Sequence, residues 1–367
     1  MNIPETMQAF VLTGHGGMDK LVFHENWPVP VPSDDEVLIK VGACGLNNTD
    51  VNTRSGWYSK SVSVATTGDA YEELNDDDPA WGGSPITFPR IQGADAAGIV
   101  VSVGANADQS LIGKRVITDN WLRDWNNPLD KNKTGYFGSE MDGGFAEYTK
   151  TDYRNVGVVD CVLSDAELAT FSCSYTTAEG MLSKANVNSS DSVLVTGASG
   201  GVGTALIQLA KRRGATVVGL ASAHKHAALL QLGADTVLPR TPSDLSSELK
   251  KAIGTPTVSV VADVVGGPSF SMFIDVLERG GRYTCSGAIG GPIVDLDLRT
   301  LYLRDLTFTG STVVTPSIFK DLVRYIENDE IKPVLAASYP LKDLKLAQQA
   351  FIDKQHSGKL VVTMPND

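Results

Sequence analysis

Residues 42–58 read GACGLNNTDVNTRSGWY and gather groups that could steady charge during a reaction: the amides of Asn47 and Asn48, the carboxylate of Asp50, the guanidinium of Arg54 and the phenol of Tyr58. Preorganised N–H and O–H donors stabilise an oxygen as it becomes an anion, which makes Asn47 and Tyr58 the candidate catalytic donors. Tyr58 either gives a hydrogen bond or proton to substrate or packs as an aromatic at a loop edge. Arg54 either touches substrate or pairs with Asp50, while Thr49 and Asp50 order the loop. An amide at position 47 is no substitute for the thiolate, imidazole or carboxylate donors of a tetrahedral zinc.

A second chemical signal lies in residues 192–222, SVLVTGASGGVGTALIQLAKRRGATVVGLAS. A strand, a glycine turn, an amphipathic helix and a second strand within thirty-odd residues form a dinucleotide-binding unit. Gly200 and Gly203 take the second and third glycine positions, and Ala198 stands in the first. Around Ser199, Gly201 and Val202, a helix beginning near Val202 would aim free amides and its dipole at a pyrophosphate. An NAD enzyme needs an acid at the end of the second strand for the ribose 2′-hydroxyl. This chain has Leu220, Ala221, Ser222 and Ala223 there, followed by His224 and Lys225, with Arg240 closing the next strand. A hydroxyl and cations without an acid favour the 2′-phosphate of NADP(H).

These residues need a scaffold, and the chain is long enough to supply one. Its 367 residues, 42% hydrophobic and 20% charged, suit two globular domains with sizeable cores. Residues 1–165 alternate in short β-like runs such as EVLIKVGAC and AAGIVVSVG. Beyond them, the apolar strands SVLVTG, TVVGLA, DTVLP, SVVADVV, GRYTCSG and LTFTGST alternate with helices, an α/β pattern that implies a parallel sheet covered on both faces. The tail from residue 320 offers two helices and a last strand that returns to the first domain. The expected division is therefore 1–165 with 320–367, and 166–319. Residues 59–85 and 119–142 read as long polar loops whose aromatics either decorate the surface, wall a substrate cleft or face a partner subunit.

A net charge of -12 without a basic stripe excludes nucleic acid and anionic membranes as expected partners. No leader or spanning segment is evident, so the expected compartment is the cytoplasm. Cys44, Cys161, Cys173 and Cys285 are far apart and read as buried thiols.

The segments VLTGHGG, GLNNTD, GADAAGIVVSVG, GKRV, GGFAEY, TTAEGML, GASGGVG and GKLVV follow one another in an order that resembles the medium-chain dehydrogenase/reductase superfamily over nearly the whole chain. The resemblance implies a GroES-like β-rich catalytic domain joined to a doubly wound Rossmann domain. In the zinc alcohol dehydrogenases of that superfamily, a Cys and a His-Glu pair hold the catalytic metal at positions that here are Asn47, Ala94 and Asp95. The zinc-free quinone oxidoreductase branch is similar in carrying Asn at 47, with Asp50, Arg54, Gly56 and Tyr58 also matching; Asn52 departs from its pattern.

That resemblance implies hydride transfer from NADPH to a small-molecule quinone or α,β-unsaturated carbonyl, with Asn47 on the nicotinamide ribose or the substrate oxygen. It also implies cofactor contacts at Gly201, Val202, Val264, Gly287, Ala288, Ser311 and Val313, a phosphate contact at Lys359, and a homodimer or homotetramer built through the edge strand of the nucleotide domain. The rival expectations are a zinc alcohol dehydrogenase with recruited ligands, an enoyl thioester reductase, and an NADPH-binding sensor without turnover.

Overall fold

A computed structural model gives the fold and describes residues 3–69, 71 and 85–365. The chain divides into two units, one from residues 1–62, 67–173 and 315–367, the other from 63–66 and 174–314. The first unit opens with β1 (Thr6–Leu12), β2 (Leu21–Pro28), β3 (Glu36–Gly45), α1 (Asn48–Ser55), β4 (Asp95–Val103), β5 (Arg115–Thr118), β6 (Trp121–Leu122), β7 (Gly135–Tyr136), β8 (Tyr148–Asp152), β9 (Val156–Val158) and α2 (Asp165–Leu168). After α3 (Ser172–Lys184), the second unit alternates β10 (Ser192–Val195), α4 (Gly201–Arg212), β11 (Thr216–Ala221), α5 (His226–Gln231), β12 (Thr236–Pro239), α6 (Leu245–Ile253), β13 (Val258–Asp263), α7 (Phe270–Asp275), β14 (Leu277–Cys285), α8 (Leu298–Leu303) and β15 (Thr307–Gly310). The chain then returns to the first unit through α9 (Pro316–Glu327), β16 (Leu335–Pro340), α10 (Leu344–Asp353) and β17 (Lys359–Thr363).

The unit boundaries differ from 165 and 320 for reasons of packing. Helix α2 lies on β3 and β4, which draws residues 165–168 into the first unit. Helix α9 packs on β9, so closely that a methyl on Gly157 would lie 2.6 Å from Val323.

Strand β3 organises the first unit. Its Glu36–Lys40 half pairs antiparallel with β8, its Ala43–Gly45 end pairs with β17 on that side, and β4 runs along the other side. Val37 and Ile39 face one apolar cluster while Leu38, Val41 and Cys44 join another. Strict alternation would put Val41 with Val37; the pairing with β4 shifts register after Leu38 and again after Val41.

In the second unit all six strands, among the described residues, are parallel and ordered β12-β11-β10-β13-β14-β15. This doubly wound order reverses between β10 and β13, and ligands of such sheets bind beyond the carboxyl ends of the strands at that reversal. Val193, Leu194, Val195, Val260, Val261 and Ala262 have no exposed surface, as central strands covered on both faces require.

Of the loop 59–85, residues 70 and 72–84 lie outside the described residues. The stretch 119–142 is an ordered appendage: β6 pairs with β7, Trp121 stacks edge-on against Tyr136, and Asn155 Nδ2 donates to the carbonyls of Asp119 and Trp121. Trp121 and Tyr136 are thus packed within their own unit. No described helix is long and apolar enough to cross a membrane.

The appendage rests on a buried ion pair, Arg123 Nη2 to Asp119 Oδ2 at 3.1 Å, with side chains 1% and 2% exposed. Burial raises the Asp119 carboxyl's affinity for a proton, and Arg123 opposes that shift. Arg123→Met should destabilise the protein by about 3 kcal/mol by leaving a buried carboxylate unpaired. Urea denaturation checks this; a loss under about 1 kcal/mol would show that Asp119 is already wet.

Candidate active site

Helix α1 sets the first group of candidate residues. Asn47 is its N-cap, the Asp50 carboxylate accepts the Asn47 backbone N–H at 2.7 Å, and Gly56 ends the helix in a left-handed conformation at φ 79°. The Asn47 side chain is held from both ends. Its Nδ2 donates to Asp95 Oδ2 at 3.0 Å, and its Oδ1 accepts from Lys359 Nζ at 2.6 Å. Lys359 also donates to Asp95 Oδ2 at 2.7 Å and to the Leu46 carbonyl at 2.7 Å. Asn47, Asp95 and Lys359 are 7%, 1% and 3% exposed, which makes this a compensated buried charge cluster.

Two expectations are corrected here. Lys359 was a candidate phosphate partner, yet its three ammonium donors are all engaged within the cluster. Arg54 was a candidate for substrate or for Asp50. Instead it has no exposed surface and donates to Gln348 Oε1, Gly16 O and Gly68 O, so it ties α1 to three other segments of its unit. Desolvation lowers its pKa. The sequence could not show this because guanidinium geometry suits a triple carbonyl clamp as well as a carboxylate.

Tyr58 follows α1 and is half-buried, its hydroxyl is hydrogen-bonded to the Asn52 side chain, and its pKa is driven upward, chiefly by burial. Asn52 therefore positions the phenol. The phenol also senses the charge of Asp50. Cys173 belongs to the cluster: its N–H donates to Asp95 Oδ1 at 2.7 Å, and its Sγ accepts from Tyr136 Oη, which lies 3.3 Å from Thr49 Oγ1. Burial first, then the Asp95 charge, pushes the Cys173 thiol up to about 12, so it stays protonated. Cys173 and Tyr136 escaped the sequence reading because no local motif marks them.

The second group lies along one edge of the parallel sheet in the second unit. The turn 197–203 follows β10, Ser222 and Lys225 follow β11, Arg240 follows β12, Val264 follows β13, Gly287 and Ala288 follow β14, and Ser311 and Val313 follow β15. All are at carboxyl ends. Gly197, rather than residue 198, takes the left-handed turn at φ 55°. That explains Ala198, whose methyl lies against Gly219; a methyl there would sit 3.2 Å from it. Helix α4 begins at Gly201 with Gly200 as N-cap and no side-chain cap, so its first amides remain available to an anion. Lys225 is buried, and its pKa is lowered by that burial and then by the charge of Arg240.

The two glycines of the turn do different work. A methyl on Gly203 would lie 2.3 Å from the Gly197 carbonyl, whereas one on Gly200 meets nothing nearer than 3.5 Å. Gly203 serves helix–strand packing. The exposed Gly200 leaves a cradle that the fold itself does not fill, and this fits the close backbone approach of a dinucleotide.

Comparison with known proteins agrees with this architecture. The alcohol dehydrogenase GroES-like domain matches residues 33–160, and the zinc-binding dehydrogenase domain matches residues 201–328. A solved structure from Sinorhizobium meliloti 1021, provisionally described as an alcohol dehydrogenase, is 44% identical with a TM-score of 0.89, covering 99% of this chain and 98% of that one. The chain belongs to the medium-chain dehydrogenase/reductase superfamily. The quinone oxidoreductase of Homo sapiens is 27% identical over 368 residues, 98% of each chain. The acryloyl-coenzyme A reductase of Sulfurisphaera tokodaii is 29% identical over 366 residues, 97% of this chain and 99% of that protein. Members of the superfamily bind a nicotinamide cofactor and act as oxidoreductases.

The matched domain's description raises zinc, and the donor set can be tested against it. At the three aligned positions stand an amide, a methyl and a carboxylate, and the carboxylate of Asp95 is already ion-paired to Lys359. Among the described residues no group of three or more His, Cys, Asp or Glu could hold a metal. These residues do not fit a tetrahedral zinc.

Two outcomes follow from this geometry. Gly200→Ala should leave stability within about 0.5 kcal/mol yet weaken dinucleotide binding about tenfold, while Gly203→Ala should lower stability by about 1–3 kcal/mol. Equal binding by Gly200→Ala and wild type in a fluorescence titration would remove the nucleotide role of that turn.

The second concerns Asp50, whose carboxyl burial pushes from 3.8 up to about 7 against the opposing Asn47 N–H and Lys359 charge. Between those values the folded state holds a proton that the unfolded chain has lost. Stability contributed at Asp50 should therefore fall as pH rises from about 4 to 7 and level off above. Thermal melts of Asp50→Asn across that range should lack this slope relative to wild type.

Proposed function

We propose that this chain is a zinc-independent, NADPH-dependent reductase that delivers hydride to a quinone or an α,β-unsaturated carbonyl. The observation that carries the reading is the locked amide of Asn47. Lys359 can only donate and Asp95 only accept, so together they decide which way the amide faces. Its Oδ1 and one Nδ2 proton are engaged, which leaves a single N–H to offer. A lone donor suits an oxygen that gains negative charge; it would not accept a proton from an alcohol. The Lys359 ammonium, bonded at the Oδ1 end, also pairs with the Asp95 carboxylate that lies beside this N–H. Tyr58, its phenol oriented by Asn52, is the proposed proton or hydrogen-bond donor to that oxygen.

Bound NADPH supplies the hydride, and an electron-poor acceptor takes it without a Lewis acid. The preference for the 2′-phosphate rests on Lys225 and Arg240, two cations close enough to depress the first, with no acid among residues 220–223. The enoyl thioester alternative, favoured by the acryloyl-coenzyme A reductase likeness, uses the same oxyanion chemistry and differs in what holds the coenzyme.

We also propose a cytoplasmic homodimer or homotetramer without nucleic-acid or membrane partners. Strand β15 is an edge of its sheet, and Leu298, Tyr302 and Leu303 just before it are 64%, 62% and 57% exposed.

NADPH oxidation against quinones, enones, enoyl thioesters and aldehydes, with and without chelator, tests the proposal. Chelator-insensitive turnover of a quinone or enone should fall about a hundredfold in Asn47→Ala and clearly in Lys359→Met and Tyr58→Phe. Lys225→Ala with Arg240→Ala should raise KM for NADPH about tenfold and leave that for NADH unchanged. Chelator-sensitive turnover would sink the zinc-independent reading, and NADPH binding without turnover would favour a sensor.

A further inference from the structure

The second unit carries a carboxylate that no motif marks. Asp263, the last residue of β13, has no exposed surface, and no cation is ion-paired to it among the described residues. It is surrounded by donors instead. Its Oδ1 accepts from Thr196 Oγ1 at 2.5 Å and from the Val265 N–H at 2.8 Å; its Oδ2 accepts from Tyr283 Oη at 2.7 Å; and the Gly266 N–H reaches both oxygens at 3.2 and 3.1 Å. The Thr196 hydroxyl, having donated its proton, accepts from the Val264 N–H at 3.1 Å.

These bonds converge on the backbone that lines the carboxyl edge of the sheet. Thr196 immediately precedes the glycine turn, and Val264–Gly267 form the turn after β13. That turn is fastened to the next loop through Gly290 N–H to Val265 O at 2.7 Å and Gly267 N–H to Gly291 O at 3.1 Å. Gly266 and Gly267 adopt φ values of 59° and 63°, and a methyl on Gly267 would lie 2.3 Å from Gly290 O. The loop bearing Gly287 and Ala288 is therefore tied to the turn that Asp263 holds.

We infer that Asp263, acting through Thr196 and Tyr283, is the positioning residue that shapes the nicotinamide dinucleotide site; this rests on reading the 197–203 turn as that site. A carboxylate suits the place because it accepts from two backbone N–H groups and two hydroxyls at once. An asparagine would turn its N–H against the Gly266 or Val265 N–H and make the facing hydroxyl reverse its role.

The experiment is a fluorescence titration of NADPH against wild type, Asp263→Asn, Thr196→Val, Thr196→Ser and Tyr283→Phe, with thermal melts of each. Thr196→Val and Asp263→Asn should weaken NADPH on the order of tenfold, since small displacements of site backbone are costly. Thr196→Ser keeps the hydroxyl and should restore binding. KM for the acceptor substrate should not move. Should Asp263→Asn fail to fold, Thr196→Val and Tyr283→Phe carry the test. Wild-type NADPH affinity in these folded variants, with only the melting temperature lowered, would overturn the inference and leave the site reading intact. Failure of wild type to bind either NADPH or NADH would overturn both.

Discussion

The requirement that a buried charge be compensated governs the first unit. Asp95 lies at the start of β4, Lys359 at the start of β17, and Leu46 and Asn47 where β3 leads into α1. The ammonium at the centre joins all three places. Removing either partner would strand the other in a site with almost no solvent. Neighbouring groups answer the same demand: the Cys173 amide serves the second oxygen of Asp95, and Lys359 opposes the rise in proton affinity that burial imposes on Asp50. The groups that orient Asn47 also join β3, β4 and β17.

The second unit answers the same demand differently. Asp263 is buried without an ion-pair partner and is met by hydroxyl and backbone dipoles, which fix backbone positions rather than side-chain ones. The first unit thus presents an oriented side chain, and the second presents oriented loops.

How much of this was visible in the sequence depended on separation along the chain. The six parallel strands were legible because strands covered on both faces are short apolar runs, and SVLVTG and SVVADVV are such runs. The glycine turn was legible because its chemistry is local. Even there the left-handed residue proved to be Gly197, one place before the motif's first position, since the space for Ala198 is made by Gly219 on another strand. The Lys359–Asp95 pair was illegible because its members are 264 residues apart and neither stands in a pattern that names its partner. Arg54 was misread for a related reason, as its partners Gly16, Gly68 and Gln348 offer oxygen atoms that any residue could offer or that carry no charge.

The return of the chain to its first sheet has a consequence for biogenesis. Strand β17 is translated only after every strand of the second unit has left the ribosome, yet it brings the ammonium that neutralises Asp95. Until then the nascent first unit holds an unpaired carboxylate and an unfilled place beside β3. The second unit, contiguous from 174 to 314 apart from one short segment, has all its sheet partners earlier. Vectorial synthesis would therefore let the second unit complete its sheet before the first.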